Sequence, residues 1–243
     1  IGTDGDIFVA SPIGGNPVLL PGGKNRDLIH RFIDPDFAVE NRGLDGFDII
    51  QLDRERLQEL ANGNADIIPR HKIVFTLEDD LLVTSNQHVL SGMTLTDGDI
   101  LLTNGGVILN QVIRQVLDLI DVNGEKLQHI GIDAIEVEAF NEIFDALVMN
   151  VVYDMRLLTF MSRATTNQGF RLILSLEEIN DPYIAGSNSV LPPGERVSAD
   201  DLIEIVFTPN GPSARVLRSG ADGIPSSAPS LLSAWTETNR GAD

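Results

Sequence analysis

Three stretches of this sequence share one layout, and that internal similarity constrains the fold more than any other feature. Residues 4–20 read DGDIFVASPIGGNPVLL, residues 97–113 read DGDILLTNGGVILNQVI, and residues 200–217 read DDLIEIVFTPNGPSARVL. Each is an acidic turn, a short apolar run, a Gly/Asn/Pro turn and a second apolar run, which is the layout of a β-hairpin. A second element occurs twice, GLDGFDIIQL from Gly43 and GIDAIEVEAF from Gly131. A third also occurs twice, KIVFTLEDD from Lys72 and RLILSLEEI from Arg171. The order is hairpin, Gly-apolar-Asp strand, apolar strand, then hairpin again, with a spacing of roughly 90 to 100 residues. Segments that recur in one order are units that bury their apolar faces against one another.

The expected fold is therefore mainly β, built from repeated four-stranded antiparallel units in a propeller-like or sandwich arrangement. Units are expected at about 4–96 and 97–198, with a partial third at 199–218, all within one β domain spanning 1–218. Two and a half such units do not close a propeller unless the spacers or another chain add strands.

The spacers differ. Residues 53–61 (DRERLQELA) carry an Asp suited to an N-cap and Leu57 and Leu60 at helical spacing, which predicts a short helix. Phe140, Ile143, Phe144, Leu147, Val148, Val151 and Met155 share one helical face, which predicts an inserted amphipathic helix near 138–161. The Val151-Val152-Tyr153 run also suits a strand in the second half of that stretch. Residues 111–121 fit helix and strand equally. From Ser219 onward the sequence turns small, polar and Pro-containing, too poor in apolar residues for its own core. This tail (219–243) is expected to be ordered by docking, through Leu231, Leu232 and Trp235, on its own domain or on a neighbour.

Charge and composition exclude several functions. The 243 residues carry 36 acidic and 17 basic side chains, a net charge of −19, and 42% are hydrophobic. So apolar a chain folds rather than staying disordered. So acidic a surface does not suit a nucleic-acid phosphate backbone or an anionic membrane. With no Cys, disulfide staples, Cys-ligated zinc and thiol catalysis are excluded. No run of about 18 apolar residues is available to span a bilayer, so no membrane insertion is expected. The sequence begins at Ile1 rather than Met, so either a targeting segment has been removed or the true start lies upstream, and an exported, processed chain is the expectation.

The succession GLDGFDI, KIVFTLEDD, LSGMTLTDGDILLTNGG and GIDAIEV resembles the repeats of exported bacterial proteins of the PEP-CTERM-associated type. In those repeats a VDALDV strand precedes a Gly-Lys/Arg-Leu-x-Phe-Ser-x-Asp strand, and an LPG stretch then leads through DGDLL into the next hairpin. The resemblance covers residues 1–20, 43–50, 72–113, 129–138 and 170–217. It implies a propeller-like repeated β architecture outside the cytoplasm, periplasmic or secreted, and supplies no catalytic residues. The stretch at 138–161 departs from the pattern, and residues 219–243 do not match a sorting signal of that kind.

The acidic turns are the candidate chemistry. Asp4 with Asp6, Asp79 with Asp80, Asp97 with Asp99, and Asp200 with Asp201 place carboxylates one or two residues apart, beside carbonyl oxygens that can join them in holding Ca²⁺. The competing explanation is that such residues simply make tight turns. Asp121-Val-Asn-Gly-Glu125 begins like an EF-hand loop but lacks the later bidentate acid. His30, His71, His88 and His129 are scattered without zinc-site spacing, and no nucleophile elbow or phosphate loop is present. No catalytic residues are therefore assigned. Calcium is the one cofactor considered. The expected function is a non-enzymatic exported structural or accessory subunit, docked on other protein subunits of a larger assembly. The alternatives are a calcium-assisted carbohydrate or surface-ligand binding module, a hydrolase using two of the many acids, and a viral or sheath shell protein.

Overall fold

The computed structural model describes residues 5–9, 17–20, 23–36, 42–50, 72–138, 140–165, 169–177, 183–199 and 201–217. Asp4, residues 53–61, His71, Asp200 and the anchors Leu231, Leu232 and Trp235 lie outside them, as does the whole tail from residue 218.

Two sheets, antiparallel in their main pairings, organise the chain. In the first, β3 (Leu44–Ile49) pairs with β4 (Ile73–Leu77), β4 with β7 (Ile100–Leu102), and β7 with β8 (Val107–Ile108). In the second, β10 (Ile132–Glu138) pairs with β12 (Phe170–Leu176), β12 with β15 (Leu202–Thr208), and β15 with β16 (Gly211–Leu217). The Gly-apolar-Asp strands thus lie beside the apolar strands, and each apolar strand lies beside a strand that follows an acidic turn. Small pairs complete the β content: β1 (Phe8–Val9) with β2 (Val18–Leu19), β5 (Leu81–Leu82) with β6 (Thr94–Leu95), and β9 (Leu119–Ile120) with β13 (Tyr183–Ala185), itself paired with β14 (Arg196–Val197). The fold is mainly β, and among the described residues no sheet closes into a barrel.

Side-chain alternation explains where the core sits. In β12, Phe170, Leu172, Leu174 and Leu176 are buried while Arg171, Ile173 and Ser175 are only half-buried, the period-2 pattern of a sheet with one face in the core. β4 is buried at all five positions. Its Ile73, Phe75 and Leu77 face a core shared with Leu28, Ile29, Phe32, Leu81 and Leu101. Val74 faces the larger core, shared with the second sheet. A strand covered on both faces needs apolar residues throughout, hence Ile-Val-Phe-Thr-Leu. The only polar member, Thr76, donates its hydroxyl to the Ile132 carbonyl (3.2 Å).

The outer face of the second sheet carries a ladder of charges. Arg171 pairs with Glu138 and with Glu204 (2.9 Å), and Arg215 also pairs with Glu204. Burial alone would raise the Glu204 carboxyl, but the two guanidinium groups outweigh it and hold it below the ordinary range.

The expected continuous helix at 138–161 is interrupted. The chain forms α3 (Asn141–Ala146), turns through Met149 at φ +55°, makes β11 (Val151–Val152), and enters α4 (Met155–Thr165). Phe140, Ile143, Phe144 and Leu147 do bury one face, but Val148 is exposed. β11 joins the first sheet parallel to β8, with Val107 N–H donating to the Asn150 carbonyl (3.0 Å) and Leu109 N–H to the Val152 carbonyl (2.9 Å). These bonds, and the β-branched Val151-Val152 pair, outweigh helical continuity at that point. The ambiguous stretch 111–121 is also divided, into α2 (Asn110–Leu117) and then β9.

Candidate functional site

The acidic turns hold the backbone together. Asp99 is buried, and its Oδ1 accepts Asn110 N–H (2.6 Å) while its Oδ2 accepts Thr96 N–H (2.8 Å). Asn110 opens α2, and its side chain clamps the peptide groups of Ile130, with Nδ2 donating to the carbonyl (2.5 Å) and Oδ1 accepting the N–H (3.2 Å). The same set recurs near the N-terminus. Asp6 Oδ1 accepts Asn25 N–H (2.9 Å) at the start of α1 (Asn25–Ile29), and Asn25 Oδ1 accepts Arg42 N–H (3.2 Å) while its Nδ2 donates to the Arg42 carbonyl. Glycine between the acids is required in both turns. A Cβ on Gly98 would overlap the Asn110 amide and the Ile130 carbonyl, and one on Gly5 would overlap the Asn25 amide and the Arg42 carbonyl. At the third turn Asp201 Oδ2 accepts Ser198 N–H (3.0 Å), as Asp99 accepts Thr96. Burial raises Asp99 above the usual carboxylate range against the opposing hydrogen bonds from Asn110 and Thr96. Asp79 and Asp80 are exposed just before β5.

Asp97 points elsewhere, into a place where several carboxylates gather. There the edge strands β3 and β10 cross closely, because Gly46 lies against the Ala134 backbone with no room for a side chain. Asp45 on β3 and Asp133 on β10 flank that crossing. Glu78 and Glu177 follow β4 and β12, and their carboxylates lie over Gly43 and Gly131, whose absent side chains make the space. Each Glu also donates its N–H to that glycine's carbonyl, at 3.1 Å for Glu78 and 3.2 Å for Glu177. Asp97, paired with His129, joins the group.

Burial pushes Asp45 up to about 7, with the negative charges of Glu177, Asp133, Glu78 and Asp97 adding to the effect. Its Oδ2 is out of contact with solvent and has no hydrogen-bond partner among the described residues. Burial also raises Asp133, and it raises Glu177 together with the charges of Asp97 and Asp133. Among the described residues no three His, Asp or Glu side chains are arranged to hold a metal ion.

Asp45, Asp133 and Glu177 were not singled out by sequence reasoning. The signal existed, since the Gly-apolar-Asp element and the acid after the apolar strand each occur twice. Their convergence depends on how β3 meets β10.

His30 is exposed, and His88 is structural. His88 is buried against Phe32, at 5.0 Å between ring centroids. Its Nδ1 accepts Leu90 N–H (3.1 Å), so Nε2 is the donor toward the Gly105 carbonyl (2.8 Å). Asp121 closes an Asx turn, accepting Asn123 N–H (2.9 Å) and Glu125 N–H (2.8 Å), and those bonds hold its carboxyl low.

An open groove of about 770 Å³ lies between α2, the start of α4 and the 118–130 loop. Its polar groups serve the fold: Lys126 pairs with Asp118 (2.6 Å), Arg114 Nε donates to the Leu127 carbonyl (3.1 Å), and Gln115 Oε1 accepts Met155 N–H (3.2 Å). No family model, curated protein or solved structure matches this chain. Among the described residues no helix is long and apolar enough to cross a membrane.

Proposed function

We propose that this chain is a non-enzymatic structural or accessory subunit, made of tandem β units and docked on other protein subunits outside the cytoplasm. One observation carries the reading: each main sheet takes in a hairpin that comes after the next acidic turn. β7 and β8, which follow Asp97 to Asp99, continue the sheet begun by β3 and β4, and β11 extends it. β15 and β16, which follow Asp201, complete the sheet begun by β10 and β12. A unit so built is not self-sufficient, because its apolar strand needs a neighbour's hairpin to satisfy its backbone. The Asp–Asn clamps at Asp6 and Asp99 support units that begin at about 4 and 97, the turn at Asp201 supports a partial unit at 199–218, and the resemblance to exported repeat proteins supports the location. In an extract of the source cells, size-exclusion chromatography with mass spectrometry of co-eluting proteins should place the chain in a complex well above 26.4 kDa. Elution as a bare monomer would overturn the subunit reading.

A second reading, calcium-assisted binding of a carbohydrate or surface ligand, rests on the acidic turns, of which Asp79 and Asp80 present exposed carboxylates. Calcium should then raise the melting temperature by several degrees, and EDTA should reverse the rise. A melting curve unmoved by either ends this reading.

A further inference from the structure

The hairpin β1–β2 is built like the hairpins β7–β8 and β15–β16, yet it lacks what covers them. Asp6 stands before β1 as Asp99 stands before β7 and Asp201 before β15, which aligns Phe8 with Leu101 and with Ile203. Leu101 and Ile203 are fully buried, whereas Phe8 is 43% exposed. Leu101 and Ile203 each lie in a hydrophobic core, and each also has a strand on its outer side, which Phe8 lacks among the described residues. β4 lies along the outer edge of β7 with Phe75 opposite Leu101, and β12 lies along β15 with Leu174 opposite Ile203. Among the described residues β1 pairs only with β2.

The edge is also polar in the right phase. Ile7 uses both of its peptide groups on the β2 side, donating to the Gly23 carbonyl (2.7 Å) and accepting Leu20 N–H (2.8 Å). Peptide groups alternate along a strand, so the N–H and C=O of Phe8 face outward, as those of Leu101 face β4.

We propose that the outer edge of β1 is a docking site for an apolar β-strand of the β4 and β12 kind, supplied by a like repeat unit of a partner polypeptide. This rests on the tandem-unit reading above. The strand would add antiparallel to β1, pair with the Phe8 peptide groups and cover the Phe8 ring. A second copy of this chain does not offer such a strand without opening, since its β4 and β12 already lie against β7 and β15. An open edge of this kind is what natural sheets otherwise shield.

The test uses the intact chain and a synthetic peptide of residues 72–80, KIVFTLEDD. The peptide should bind saturably and slow amide hydrogen exchange at Phe8 and Val9. Phe8→Pro removes the outward donor while leaving the Ile7 bonds, and should weaken binding at least tenfold. Phe8→Lys, which leaves the backbone unaltered, should weaken it similarly and serves if the Pro variant fails to fold. Absence of binding, protection at another edge, or binding indifferent to both substitutions overturns the proposal. So does self-association of the chain that Phe8→Lys abolishes, which would make a second copy the occupant. A large native complex alongside any of these results would leave the subunit reading standing and remove only this edge from it.

Discussion

Asn110→Ala is expected to destabilise the protein by about 4 kcal/mol, because it orphans both peptide groups of Ile130 in a buried site at roughly 1–3 kcal/mol each. Ile130 and Asn110 are both buried, so water does not replace the lost partners. For a chain of this size the melting temperature should fall by about 8–16 °C. Asn25→Ala removes the corresponding clamp on Arg42. That residue is half-buried, and water can solvate its peptide groups, so the loss should be roughly half as large. Chemical denaturation of both variants checks the pair of values. An Asn110→Ala variant within about 1 kcal/mol of the parent would mean that the clamp is not what joins α2 to the approach to β10.

Asp45→Asn should stabilise the protein at pH 8 and leave it unchanged at pH 4. In the unfolded chain this carboxyl titrates near 3.8, and in the fold it is pushed up to about 7. The folded state therefore holds the proton more tightly. Its stability is greatest below the unfolded value and is lost as pH rises from about 4 through about 7. A shift of that size corresponds to about 4 kcal/mol at full strength. Partial solvent access at the seam reduces it to roughly 1–3 kcal/mol. Asn keeps the shape and removes the titration, so the variant's melting temperature should exceed the parent's by a margin that grows over this pH range. Parallel profiles for the two proteins would show that the gathered charge is not felt at Asp45.

Together these expected results separate the two uses of acid in the chain. Asp6, Asp99 and Asp201 accept hydrogen bonds from the backbone, and their carboxylates fasten turns. Asp45, Asp97, Asp133, Glu78 and Glu177 gather where two sheets meet, and Asp45, Asp133 and Glu177 are held away from their ordinary ionisation.

Local pattern was enough for much of the architecture. Period-2 alternation marks β12 in Phe-Arg-Leu-Ile-Leu-Ser-Leu, and the apolar run of β4 marks a strand covered on both faces. The Asp-Gly-Asp turns mark where hairpins begin, because turn chemistry acts within a few residues. Three matters were decided only by tertiary structure. The apolar face at 140–155 satisfies helical spacing, but pairing with β8 takes Val151 and Val152 into a strand. The exposure of Phe8 becomes meaningful only once Leu101 and Ile203 are seen buried in the cores, with β4 and β12 beside them. Asp45 and Asp133 are 88 residues apart in sequence, and their carboxylates share one field because Gly46 lets β3 approach β10. Hydrophobic periodicity and turn preference are properties of neighbouring residues along the chain. Desolvation and like-charge repulsion depend on distance through space, which the order of residues alone does not specify.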